Sequence, residues 1–179
     1  MAGHSIGGQM VTRFAFLYPK RITHLVTVNQ IGLTDRRGGR GFEPLTGDEY
    51  ANPNMDTVYA SLLTWADRNY VQWRPEYQEH MRLRYGYQLS GDWPRMYYVY
   101  RLTGNMRNMD TIVNDWQQIE TPTLIMGGEE DYPTFAEEAR NAASILPNGD
   151  VFLIPNVGHN PHEEVPEVLN KELIRFLGT

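Results

Sequence analysis

Apolar positions along this chain come in two textures. Met10, Phe14 and Leu17 recur at i, i+4 and i+7, which predicts a helix from Ser5 to Tyr18 that Pro19 ends. ITHLVTVNQ follows as a short apolar run rich in β-branched residues and predicts a buried strand over residues 24–30. Then the pattern vanishes: GLTDRRGGRGFEPLTGDEY has no period and reads as a loop. From about residue 54 to 115 the period is helical and the texture polar. TVYASLLTWADR, PEYQEHMRLRYGYQL and PRMYYVYRL read as helices there, with Asp56 capping the first and Pro75 and Pro94 as first-turn prolines. At Pro122 the short apolar runs return. TPTLIMGG predicts a strand over 122–127 stopped by Gly127-Gly128, and TFAEEARNAASIL a helix. DVFLIPN predicts a strand over 150–156, and PEVLNKELIRFL a closing helix opened by Pro166. Strand, helix, strand, helix at this spacing implies an α/β fold with a parallel sheet and right-handed crossovers. The textures divide the chain into a core segment 1–33, a helical insertion 34–115 and a second core segment 116–179.

Composition narrows the function class. The 179 residues suffice for one domain, or for one domain with a large insertion, and 41% apolar with 21% charged content is ordinary for a soluble globular protein. A net charge of −6 argues against nucleic acid as a partner, because phosphate binding calls for a basic surface. No apolar run approaches the ~18–20 residues of a membrane-spanning helix. Without cysteine there is neither a disulfide nor a thiolate metal site, which fits the cytoplasm, and no signal peptide is legible. The five histidines lack metal-ligand spacing, so no metal and no cofactor is expected.

The chemistry concentrates at three places. Gly3-His4-Ser5-Ile6-Gly7-Gly8 fits the G-x-S-x-G turn that lifts a serine hydroxyl out of the backbone between a strand and a helix. Gly3 and Gly7 leave room for the two chains to pass, and the backbone N–H of Ile6 then faces a developing oxyanion at the positive end of the helix. The alternative is a glycine-rich helix start. Serine needs a base, and the base needs an orienting acid, in the order Ser, Asp, His. Asp131 and His159 each fall just past a predicted strand end, where parallel α/β folds hold their working groups. Glu129, Glu130 and Asp35 are rival acids, and Asp131 has an alternative reading as a helix N-cap. His162 rivals His159 and reads as a surface residue; His4 reads as packing; His24 and His80 have no partner visible in sequence.

GHSIGG, PTLIMGGEED and NVGHNPHEEVPEVLNKELIRFL together resemble the α/β-hydrolase superfamily, in the branch with a helical cap between the sixth and seventh strands. The resemblance implies Ser5 as nucleophile, Asp131 as triad acid, His159 as base, and residues 34–115 as the cap. It further implies an esterase-like serine hydrolase that cleaves a carboxylic ester or related acyl bond through an acyl-enzyme, on an apolar or aromatic small-molecule substrate. Relatives with an aspartate nucleophile, the dehalogenases and epoxide hydrolases, are disfavoured by Ser5. The many Tyr and Trp of the cap chiefly pack it onto the core, with two or three left to line a pocket. The resemblance also implies about five strands ahead of the elbow, and this chain carries none of them. The expectation is therefore a chain that starts mid-fold, with Met1-Ala2 as the remnant of the fifth strand and three strands remaining. Its LVTV run would form a bare parallel edge, open to self-association or to a complementing chain. No His-Gly loop supplies a second oxyanion donor. Such a chain is expected to be a poor hydrolase alone, and the rival reading is a non-catalytic fragment.

Overall fold

The computed structural model describes residues 1–35, 37, 38, 42, 44, 55–110 and 112–178. Four strands form one wholly parallel sheet in the order β1-β2-β3-β4: β1 (Ala2–His4), β2 (Leu25–Val28), β3 (Thr123–Gly128) and β4 (Gly149–Ile154). Helices α1 (Ile6–Leu17), α5 (Phe135–Ile145), α6 (Pro161–Glu164) and α7 (Pro166–Leu177) belong to the same body. Between β2 and β3 the chain runs through α2 (Met55–Asn69), α3 (Tyr77–Gln88) and α4 (Trp93–Met109).

Alternation along the central strands sorts the side chains onto two faces, as the period of two requires. Leu25, Ile125 and Phe135 join Ala15, Ile112, Trp116 and Ala139 in one core, under α1 and α5. Val26, Val28, Leu124, Met126 and Ile154 join Leu169 in the other, under α7. β2 is buried along its whole length because it is paired on both edges and covered on both faces.

Several expectations are corrected. The sheet has four strands, not three: Ala2, Gly3 and His4 pair with Val26, Thr27 and Val28. The LVTV edge is thus covered, and the two edges without a partner strand among the described residues are those of β1 and β4. A three-residue strand with a central glycine carries no apolar pattern; only its pairing with β2 makes it a strand. β3 does stop at Gly127-Gly128, which form its last two residues. The bounds of the other two strands shift too, leaving Asn29 and Gln30 outside β2. The helix after the elbow is present, but Met10 and Leu17 lie exposed. The face α1 buries is Gly8, Gln9, Thr12 and Ala15, since close approach to a sheet favours small or hydrogen-bonded side chains. There Thr12 Oγ1 donates to the Gly8 carbonyl at 2.8 Å and lies 2.9 Å from the Gln30 side-chain amide. Asp56 lies inside α2 rather than capping it, and Pro75 sits in the turn ahead of α3. Pro94 and Pro166 do stand in first turns. α4 continues seven residues past the predicted Leu102, to Met109. Most of the predicted loop after Ile31 lies outside the described residues.

Among the aromatics, Tyr70 and Tyr77 stack at 4.4 Å and form a small core with Ala66 and Met81. Arg84 lies over the Trp65 ring at 4.0 Å. Tyr59, Trp73, Tyr87 and Tyr100 are exposed.

Candidate active site

The β1–α1 junction holds Ser5 at φ 55° and ψ −121°, a conformation that L-residues rarely adopt and that persists only where its surroundings enforce it. Here the Ser5 N–H donates to the Val28 carbonyl at 2.9 Å, and the Ser5 carbonyl accepts from Gly8 at 3.0 Å. A Cβ on Gly3 would lie 2.3 Å from the Gly7 carbonyl oxygen, so the strand can leave the turn only as glycine. Gly7 has open space at its own Cβ position; the steric demand falls on Gly3 alone of the pair. As the first residue of α1, Ile6 has an N–H without an intrahelical acceptor, at the positive end of the helix.

The chain brings three distant side chains to this point. His159 Nε2 lies 3.0 Å from Ser5 Oγ, and His159 Nδ1 lies 2.9 Å from each carboxylate oxygen of Asp131. A carboxylate only accepts, so Nδ1 carries the imidazole proton; Nε2 is then free to accept from the Ser5 hydroxyl. The Asp131 and His159 side chains are only 7% and 12% exposed, which strengthens both contacts by excluding water. Helix α5 has Thr134 as its N-cap, so Asp131 does not serve there. The rival acids are elsewhere: Glu129 pairs with Arg140 at 2.8 Å, Asp35 pairs with Arg37, and Glu130 is exposed.

Sequence reasoning missed Asn29. This fully buried residue, with φ 42°, directly follows β2 beside the acid. Its Nδ2 donates to Asp131 Oδ2 at 3.0 Å, and its Oδ1 accepts from Gly128 N–H at 3.0 Å. A polar residue closing the apolar run LVTV was the available signal. The contacts of the histidine loop were also missed. His159 N–H donates to the Asn69 carbonyl at 3.0 Å, and Glu164 accepts from Gly158 N–H at 2.9 Å. Burial pushes the Glu164 carboxyl up despite the backbone N–H groups of Val71 and Gly158 that donate to it. Glu163 accepts from the Tyr70 hydroxyl and pairs with His80 at 3.2 Å; these contacts outweigh burial and draw its carboxyl down. His80 therefore has a partner, and His24 lies edge-on to Phe176. His162 is exposed, as expected of a surface residue, and its ring also packs against that of His4 at 4.6 Å.

A groove of about 160 Å³ runs beside the turn between α1 and α4. Ile6, Met10, Thr103 and Met106 line it with Gln9, Arg13, Arg107 and Asp110, and none of these is aromatic. Gln9 Nε2 donates to the Asp110 carbonyl at 2.9 Å, and Arg13 pairs with Asp110 and Asp115, fastening the end of α4 to α1. Among the described residues no cluster of His, Asp and Glu could hold a metal ion, and no helix is long and apolar enough to cross a membrane.

The model of the alpha/beta hydrolase family matches residues 1–172. Carboxylesterase YbfK of Bacillus subtilis is 25% identical over 182 aligned residues, covering 99% of this chain and 56% of the relative. The 2-hydroxy-6-oxononadienedioate/2-hydroxy-6-oxononatrienedioate hydrolase of Paraburkholderia phymatum is 24% identical over 190, covering 99% and 62%. The chain thus spans 56% to 62% of the length of these two relatives. Among solved structures, a "probable hydrolytic enzyme" from Pseudomonas aeruginosa superposes with a TM-score of 0.86 at 26% identity, over 99% of this chain and 62% of that one. The meta-cleavage product hydrolase of Pseudomonas fluorescens, at 17% identity and TM-score 0.72 over 99% and 63%, shares the fold.

Proposed function

This chain belongs to the alpha/beta hydrolase family, and from that premise we propose that it is a serine hydrolase acting on a carboxylic ester or related acyl bond. The observation that carries the reading is the 3.0 Å approach of His159 Nε2 to the hydroxyl of a backbone-strained Ser5. Ser5 Oγ attacks the acyl carbon while His159 Nε2 takes the hydroxyl proton. The oxyanion that forms accepts from Ile6 N–H at the start of α1. Asp131, held by Asn29, keeps His159 in the productive tautomer and faces the charge that the imidazole gains. His159 then returns the proton to the leaving alcohol, and water repeats the sequence on the acyl-enzyme.

The apolar stretch of the groove, Ile6, Met10 and Met106, suits an aliphatic or small apolar group, with α4 of the proposed cap forming one of its walls. The carboxylesterase relative supports the ester, and the 2-hydroxy-6-oxononadienedioate hydrolase relative supports an unsaturated hydroxy-oxo diacid as the competing substrate class. Both substrates use the same nucleophile and separate in a panel of esters and hydroxy-oxo diacids. The test of the reading itself is covalent labelling with a fluorophosphonate. Labelling is expected in the parent chain, absent in Ser5→Ala and strongly slowed in His159→Ala; a folded parent chain that takes no label overturns the proposal.

A second reading starts from the edge of β1, which carries no partner strand among the described residues. A strand from a second copy or another polypeptide pairs there and steadies Ser5. A chain that sediments as a monomer and labels at a rate unchanged by dilution would sink this reading.

A further inference from the structure

His4 immediately precedes the serine, and the reaction as derived does not use it. Its Nε2 lies 2.8 Å from the carbonyl oxygen of His159. A carbonyl only accepts, so His4 is the donor and carries its proton on Nε2. The His4 ring packs against the ring of His159 at 4.8 Å, tilted by 52°, and against that of His162 at 4.6 Å. On the other side, the His159 N–H donates to the Asn69 carbonyl at the end of α2. The peptide groups flanking His159 are therefore gripped from two directions, by β1 and by the helical segment.

We propose that His4 is a positioning residue for His159: its imidazole fixes the backbone and ring plane of His159 so that Nε2 stays aimed at Ser5. The inference rests on the serine-hydrolase reading for its rate consequence, though not for its geometry. Because β1 carries both His4 and the turn at Ser5, base and nucleophile share one rigid reference. A displacement of ~1 Å between such groups can cost about a hundredfold in rate. Charge matters as well. Burial pushes His4 down to about 4, so it is neutral while His159 takes up a proton. A protonated His4 would set a second cation against that imidazolium. The titratable groups facing it are His159, His162 and Asp131, with Glu163 behind His162 at 3.7 Å.

The experiment compares the full chain with His4→Phe, which keeps a ring and loses the donor, and His4→Gln, which keeps an N–H donor. Three quantities are read: the fluorophosphonate labelling rate, the titration midpoint of the His159 imidazole by NMR, and the urea midpoint. His4→Phe is expected to label about tenfold more slowly and to move the His159 midpoint, with His4→Gln recovering most of both. Should His4→Phe fail to fold, His4→Met takes its place as the variant without a donor. A donor-free variant with parental labelling and an unmoved His159 midpoint overturns the proposal. So does a His4→Gln that recovers nothing, since that pattern marks packing alone. A parent chain that folds and takes no label defeats the hydrolase reading, and the His159 titration then decides the role of His4 by itself.

Discussion

Replacing Asn29 by aspartate keeps the shape of the side chain and reverses the chemistry of one contact. Asn29 Nδ2 lies 3.0 Å from Asp131 Oδ2, with Asn29 fully buried and the Asp131 side chain 7% exposed. In Asn29→Asp a carboxylate oxygen takes that position. Two unit charges at this separation repel by ~5 kcal/mol at an effective dielectric near 20. The pair escapes by holding one proton between them, and the protonated partner then donates an O–H where the amide donated its N–H. The shared proton raises the folded-state pKa of the pair above the unfolded value of ~4. The sign follows: the variant keeps its stability below pH ~4 and loses it as pH rises through the folded-state pKa. Relative to the parent, the deficit is expected to be ~1 kcal/mol at pH 4.5 and ~3–5 kcal/mol at pH 8. Urea unfolding of both proteins at the two pH values measures it. Asn29→Ala serves as control. It orphans the Gly128 N–H and removes the donor to Asp131, costs ~2–3 kcal/mol, and adds no second carboxylate, so its deficit changes little between the two pH values. An Asn29→Asp deficit that does not change with pH would refute the reasoning, because the two carboxylates would then not be in contact.

Two further outcomes are expected. Gly3→Ala drives a methyl to 2.3 Å from the Gly7 carbonyl oxygen, a backbone atom that cannot swing away. It should cost ~1–3 kcal/mol by thermal or urea unfolding and slow labelling of Ser5 more than that loss of stability explains. His4, held near 4 by burial, titrates below its unfolded value of ~6.5, so its contribution is present above that pH and fades as pH falls toward 4. After discounting for its partial exposure, ~1–2 kcal/mol of acid sensitivity should vanish in His4→Gln, read as a flatter stability curve between pH 6.5 and 4.

What the sequence determined was the alternation of short buried strands and helices after Pro122, the helix behind Ser5, and the order in which Ser5, Asp131 and His159 follow strand ends. Those features are legible because they are local: a period, a proline, a residue just past an apolar run. What only the tertiary structure decided involves partners far apart along the chain. β1 is too short to carry a pattern and exists through its pairing with β2. The buried face of α1 follows how closely the sheet is approached, which favoured Thr12 and Ala15 over Met10 and Leu17. Asn29 finds Asp131 across 102 positions, and His4 finds the His159 carbonyl across 155. No local period encodes such contacts, since a polar side chain at a strand end is equally at home facing water until the fold supplies an acceptor and removes the solvent.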